Sequence, residues 1–190
     1  MKPIELLLFQ GTKLPVIQLF GVRNGNSVLC SINAEFEGEA YVQNLTTKEK
    51  SYLTSGEDVT WEVPSGQATD YFIVGQIKEL ALNINGEGPS DNYIQEILFA
   101  TSKCEKFVYN AFSSMPNPNI PTITGNKYVK EMELTIFGAG AYASSVYDVG
   151  TFFQTLNQCV QTGTLKMESG FINIDNINAA AVKSYTLSPL

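Results

Sequence analysis

The chain has 190 residues, with 12 Lys or Arg against 19 Asp or Glu, so its formal net charge is −7. It contains no His and a single Arg, Arg23, which excludes His-based nucleophile pairs and general bases, most zinc sites and an Arg cluster for phosphates. Because affinity for nucleic acids comes mainly from Lys and Arg, we expect no nucleic-acid partner. No window approaches about 18 apolar residues, so we expect no membrane-spanning helix.

The N-terminal residues and the cysteines bear on where the protein works. The apolar run at residues 6–9 follows Glu5 and is shorter than the core of a signal peptide, so we expect a protein that is not secreted. Cys30, Cys104 and Cys159 are widely spaced and form no Cys-x-x-Cys pair. We interpret them as small buried hydrophobic residues in a reducing environment, and we predict neither a metal site nor a cofactor.

Residues 1–75 have the pattern of an all-β domain. Two strand-like runs, 15–22 and 27–33, are separated by Asn24-Gly25, which is the strongest short signal for a β-hairpin. Further strand candidates are separated by turn residues and lie at 4–9, 39–45, 50–54, 58–63 and 70–74. Several short strands at this spacing predict a small β-sandwich.

Three glutamates, Glu35, Glu37 and Glu39, alternate along one predicted strand of this domain. On a strand they would share one face, with neighbouring side chains about 7 Å apart. Such carboxylates could contribute to a calcium site, but calcium requires about six to eight converging oxygens. We therefore interpret them as a solvated strand face, and calcium binding stays open.

The rest of the chain repeats a leucine-rich frame, Leu-x-x-Leu-x-Leu-x-x-Asn. Residues 77–85 fit every position of it, with Ile77 in the first apolar position. The frame starts at residues 77, 104, 129, 162 and 182. Each copy predicts one strand of a parallel sheet, and the connecting segments predict helices at 90–101, after Asp148 and after Asp175. The predicted inward-facing positions are 80, 107, 132, 165 and 185, followed by 82, 109, 134, 167 and 187.

On these motifs, residues 77–190 resemble a short, degenerate leucine-rich-repeat solenoid. The order of Tyr52-Leu53, the run 59–66 and the run 71–80 is similar to bacterial surface or phage-borne repeat proteins, in which a PKD-like β-sandwich leads into the first repeat. The resemblance implies a β-sandwich (residues 1–75) followed by a short α/β leucine-rich-repeat-like solenoid with a parallel sheet (residues 76–190). It also implies protein or glycan binding.

The predicted contact surface is the concave face of the repeat sheet, where alternate residues face solvent. The candidate binding residues on this face are Glu79, Asn83, Lys106, Asn110, Glu131, Glu133, Thr135, Lys166 and Glu168. Tyr142 and Tyr147 fall in an insertion between repeats, at residues 138–147, which we predict to be a second contact loop. We predict no catalytic residue.

Two classes of function fit this composition and architecture. The first is a non-catalytic structural protein of a larger assembly, such as a virion decoration or appendage protein that binds other protein subunits. The second is a bacterial cell-surface adhesion module that binds a protein or glycan, which would require a signal removed before Met1. A weaker alternative is a glycoside hydrolase, because Glu131 and Glu133 would lie about 7 Å apart on one strand, within the range of inverting enzymes. We also expect the uncapped strand at 182–188 to support a homo-oligomer.

Overall fold

The structure, a computed structural model, describes residues 14–22, 30–61, 68–86, 94–113, 121–125, 128–138, 146–148, 162–167, 171–173 and 182–187. Within these ranges the chain forms β-strands and turns and no helix. The strands are β1 (Val16–Val22), β2 (Cys30–Asn44), β3 (Lys50–Tyr52), β4 (Asp58–Trp61), β5 (Thr69–Gly86), β6 (Glu96–Leu98), β7 (Lys106–Ser113), β8 (Thr122–Thr124), β9 (Glu131–Gly138), β10 (Val146–Asp148), β11 (Thr162–Met167), β12 (Phe171–Asn173) and β13 (Val182–Leu187). No helix in the described part of the chain is long and apolar enough to cross a bilayer.

Strand β5 is the longest of the described strands, and three other strands pair with it. Strand β2 pairs with it antiparallel along almost the whole of one edge. The other edge is shared, since β1 pairs antiparallel with the first part of β5 and β7 pairs parallel with the last part. The sheet therefore runs without a break past residue 75. The division into domains 1–75 and 76–190 stays a prediction.

The close packing of β2 on β5 depends on a glycine. Gly75 has a φ of +145°, and a Cβ placed there would lie 2.7 Å from the Cβ of Ala40. Only glycine avoids both the strained backbone and this overlap. It lies where three residues of β2 are accommodated opposite one residue of β5, an irregularity that bends the paired strands.

A parallel array continues from β5 in the order β5-β7-β9-β11-β13. Leu80 lies opposite Phe107, and Phe107 lies opposite Met132. The next strand is displaced by two residues from the expected alignment, because Leu165 lies opposite Leu134 and not opposite Met132. Leu165 in turn lies opposite Tyr185 in β13.

The expected fold class, a β-sandwich followed by an α/β leucine-rich-repeat-like solenoid, is wrong. The described residues form one 11-stranded mixed sheet and a separate two-stranded parallel sheet of β10 and β12. In place of the helix expected at 90–101, residues 96–98 form β6, which pairs antiparallel with β1 and parallel with β8. The three-residue spacing of Ile94 and Ile97 favours a helix, but so short an apolar run is weak evidence, and pairing with β1 and β8 decides for a strand. The helices expected after Asp148 and Asp175 lie outside the described residues.

The β-sandwich expected for residues 1–75 is replaced by strands of a single sheet. Strands β1 and β2, which were expected to form a hairpin around Asn24-Gly25, do not pair with each other in the described sheet. They lie on opposite edges of β5 instead. Pairing with the long β5 gives each of these strands a hydrogen-bonding partner over most of its length.

The hydrophobic core lies on one face of this sheet. Leu80 and Leu82 of β5, Phe107 and Tyr109 of β7 and Leu134 of β9 are almost fully buried there. Burial of each such side chain contributes roughly 1.5–3 kcal/mol. A second, smaller cluster contains Val16, Tyr41, Phe72 and Val74.

Candidate functional site

The candidate binding residues of β5, β7 and β9 alternate with the buried core residues of the same strands. Since side chains alternate across a strand, these residues lie on the face opposite the core, which we call the polar face. Strand β2 extends this face on the far side of β5. In register, the polar face has three rows: Glu35, Glu79, Lys106 and Glu131; Asn33, Ala81, Val108 and Glu133; and Ser31, Asn83, Asn110 and Thr135.

The third row is joined by side-chain hydrogen bonds across three strands, and we call it the amide row. Asn110 Nδ2 donates to Asn83 Oδ1 at 2.6 Å, and Asn83 Nδ2 donates to Ser31 Oγ at 3.0 Å. Both asparagines are half-buried. Each amide is therefore held in one orientation by its neighbours and has further hydrogen-bonding capacity to offer a partner.

The first row is charged. Lys106 forms an ion pair with Glu79 at 3.3 Å, and both side chains are a little under half exposed. Glu35 lies directly opposite Glu79, a juxtaposition of like charges that destabilises a sheet. Between this row and the amide row, Ala81 and Val108 contribute to a small depression of about 120 Å³. Small side chains there allow close approach to the backbone.

A larger groove of about 650 Å³ continues from Glu35 and Glu79. Its lining residues are Pro15, Glu35, Glu37, Gln76, Ile77, Lys78, Glu79, Lys103 and Glu105. Lys78 Nζ lies 2.6 Å from Glu37 Oε1, and Lys130 Nζ lies 2.8 Å from Glu105 Oε2. The hydrogen bond and charge of Lys78 hold the pKa of Glu37 below its ordinary value, and those of Glu37 raise the pKa of Lys78.

Carboxylates are frequent in this region, but they do not converge. Throughout the described part of the chain, no group of three or more His, Cys, Asp or Glu residues is arranged to hold a metal ion. The three ion pairs of the region are exposed, so each contributes little to stability.

Glu131 and Glu133, the carboxylates considered for glycoside hydrolysis, lie two residues apart on β9. Thr135 Oγ1 donates to Glu133 Oε1 at 3.3 Å, and Thr135 is only 6% exposed. Neither glutamate lines the depression or the groove described above. They lie on an open sheet face, whereas a glycosidase encloses its acid.

Of the remaining candidates, Lys166 alone lies in backbone register with the polar face, and the others lie elsewhere or outside the described residues. Lys166 of β11 lies opposite Thr135 of β9, so the backbone position of Lys166 is next in line with the amide row. Tyr147 lies in β10, which pairs with β12 and not with the parallel array. Glu168 and Tyr142 lie outside the described residues.

Sequence reasoning missed the contribution of β2 to the polar face. Ser31, Asn33 and Glu35 alternate with buried Ile32 and Ala34, which is the pattern of a strand with one polar face. Because β2 was assigned to a separate domain, these residues were not connected with the repeat. The alternation could have identified the face, but the pairing partner of β2 could not be read from it.

Cys104, expected to be a buried hydrophobic residue, is 1% exposed. Its thiol donates to the carbonyl oxygen of Lys106 at 3.1 Å. Burial raises the pKa of the Cys104 thiol to about 12, since the thiolate would lose its hydration. The group is therefore not a nucleophile at neutral pH.

Comparisons with known proteins add no relative to this picture. No protein-family model, no curated protein and no solved structure matches the chain.

Proposed function

We propose that this protein is a non-catalytic interaction protein that works as a subunit of a larger assembly, such as a virion, and contacts its partner through the polar face. The observation that carries the proposal is the amide row, in which Ser31, Asn83 and Asn110 are hydrogen-bonded across β2, β5 and β7. Side chains fixed before binding lose little conformational entropy when a partner docks on them.

The charged row supports the same function. Glu79 and Lys106 present both signs of charge beside the amide row, and Ala81 and Val108 leave room for close approach between the two rows. Complementary charges on a partner would set its orientation and speed its association more than they would raise affinity.

The end of the parallel array supports a role in assembly. Among the described strands, β13 pairs with β11 alone. An unpaired strand edge offers backbone N–H and C=O groups to another chain. A homo-oligomer formed through residues 182–188 is therefore part of the proposal.

Size-exclusion chromatography with light scattering tests the proposal, because the monomer has a mass of 20.8 kDa. We expect a discrete oligomer that dissociates on dilution. Because that oligomer forms through the edge of β13, Lys106→Glu, which reverses a charge on the polar face, should leave it intact. The same variant should weaken binding of a partner to the polar face at least about tenfold, since like charges across an interface cost several kcal/mol. Glu57→Lys is the matched control, because Glu57 is exposed on the turn between β3 and β4.

A monomer at every concentration would reject self-assembly through the edge of β13. The same two variants would then be compared with the wild type on a glycan array, which tests the adhesion module as the competing function. Binding that Lys106→Glu weakens and Glu57→Lys does not would keep the polar face as the contact surface. The absence of both an oligomer and glycan binding would overturn the proposal.

A further inference from the structure

A cavity of about 470 Å³ lies apart from the polar face and shares no lining residue with it. We call it the Trp61 cavity. It is formed by side chains of β2, β3, β4 and β5 and of the turn that leads into β3. Its lining residues are Val42, Asn44, Glu49, Lys50, Ser51, Thr60, Trp61 and Tyr71. Its volume lies within the range of about 300–1,000 Å³ that is typical of small-molecule sites.

Two aromatic side chains contribute to this cavity, and one of them has an unused donor. The rings of Trp61 and Tyr71 pack with centroids 5.6 Å apart, and each residue is 3% exposed. The indole Nε1 of Trp61 has almost no solvent-accessible area and no hydrogen-bond partner among the described residues. A buried N–H without an acceptor is destabilising, so an acceptor oxygen from outside the chain would stabilise this group once the exposed side chains at the cavity shift to admit it.

One wall of the cavity is held rigid by hydrogen bonds. Asn44 Nδ2 donates to the hydroxyl of Tyr71 at 3.4 Å, and Asn44 Oδ1 accepts from the backbone N–H groups of Thr46 and Thr47. Thr47 Oγ1 also donates to Glu49 Oε2 at 2.9 Å. These bonds fix the turn and place the Glu49 carboxylate at the cavity.

The other lining groups are polar and balanced in charge. Glu49 and Lys50 carry opposite charges, and Ser51 and Thr60 supply hydroxyl groups that can donate or accept. An anionic ligand would meet Glu49, and a cationic ligand would meet Lys50. A neutral ligand with many hydroxyl groups satisfies all of these groups together, because each hydroxyl is both donor and acceptor.

We propose that the Trp61 cavity binds a neutral sugar unit of a glycan, with one sugar oxygen accepting the hydrogen bond of Trp61 Nε1. The Glu49 carboxylate accepts from sugar hydroxyls, and Ser51 and Thr60 complete the contacts. This site is independent of the partner surface on the polar face.

The test uses the fluorescence of Trp61, the one tryptophan in the chain. The wild type is titrated with glucose, galactose, mannose and N-acetylglucosamine, and at least one should give a saturable change in emission. Ser51→Ala and Glu49→Gln should each weaken that sugar about three- to tenfold, as expected for the loss of one hydrogen bond. Glu57→Gln, a change outside the cavity, should leave the affinity within about twofold of the wild type.

Trp61→Phe removes the indole donor and keeps an aromatic ring, and its sugar binding is followed by saturation-transfer NMR on the ligand. Loss of the signal in this variant supports the proposal. The proposal is overturned if none of the four sugars gives a saturable change, or if Ser51→Ala and Glu49→Gln bind as the wild type does. Lys106→Glu should retain sugar binding, which separates this site from the polar face.

Discussion

The amide row makes a prediction about stability that can be worked out bond by bond. Asn83 accepts from Asn110 at 2.6 Å and donates to Ser31 at 3.0 Å, so Asn83→Ala removes two hydrogen bonds and Asn110→Ala removes one. Each bond contributes about 0.5–1.5 kcal/mol net. Because both asparagines are half-buried, water replaces part of the loss. We expect Asn83→Ala to lower the free energy of unfolding by about 1–2 kcal/mol and Asn110→Ala by about half as much.

Urea unfolding followed by Trp61 fluorescence measures these changes, and a double-mutant cycle of Asn83→Ala with Asn110→Ala isolates their shared bond. The coupling energy should be about 0.5–1.5 kcal/mol. For a chain of this length, 1 kcal/mol corresponds to a fall in Tm of about 2–4 °C. A coupling energy below about 0.3 kcal/mol would refute the reasoning, since independent sites already deviate by that much. Asn33→Ala, on the same face but outside the amide row, removes only its own hydrogen bond to the carbonyl oxygen of Gly56, so it is the control for coupling: its coupling energy with Asn110→Ala should be close to zero.

The other predictions concern a glycine, an ion pair and a thiol. In urea unfolding, Gly75→Ala should lower the free energy of unfolding by roughly 2–4 kcal/mol, because it strains the backbone and overlaps Ala40. Gly56→Ala is the control: its φ is +78° but the space around its Cβ is open, so it should lower the free energy of unfolding by about 1 kcal/mol. Because the pKa of Glu37 is lowered in the folded state, its pair with Lys78 stabilises the fold above pH 4.5, and this stabilisation is lost as the pH falls through the folded pKa. Because the pKa of Lys78 is raised, the same stabilisation is present below pH 10.5 and is lost as the pH rises through the folded pKa of Lys78. Carboxyl NMR titration should show the Glu37 pKa returning to its ordinary value in Lys78→Met, and an unchanged pKa would contradict the pairing. Alkylation mapped by mass spectrometry should leave Cys104 unmodified at pH 8 until urea unfolds the protein, and modification of the native chain would show that the thiol is accessible.

The strand positions of the first repeats could be predicted from sequence, because buried residues at fixed spacing define both the frame and its face. Leu80, Phe107 and Met132 occupy equivalent positions in three frames and lie opposite one another in the sheet. The alignment failed at the frame that starts at residue 162. Strand registers are set by pairing, and a frame anchored on Leu165 alone fits Leu134 as well as Met132.

The fold class failed for a different reason. Because residues 77–85 fit a leucine-rich repeat, each connection is expected to carry a helix, and Ile94, Ile97 and Leu98 have the spacing of one helix face. Strand β1 decides the outcome, since it offers Gln18, Leu19 and Phe20 as antiparallel partners to Leu98, Ile97 and Glu96. Such a long-range partner lies about 80 residues away in the chain, and local pattern carries no information about it.

The first row of the polar face contains two like charges on neighbouring strands, an arrangement that destabilises a sheet. Glu35 and Glu79 lie directly opposite each other. Lys106 pairs with Glu79, whereas the lysine near Glu35 is Lys78, whose own ion pair is with Glu37. A sheet optimised for stability alone would place a neutral or basic residue at position 35, because opposite charges across strands stabilise and like charges do not. Local violations of this kind concentrate at functional surfaces. Together with the preorganised amide row beside it, the unfavourable pair supports an interpretation of the polar face as a surface shaped by contact with a partner.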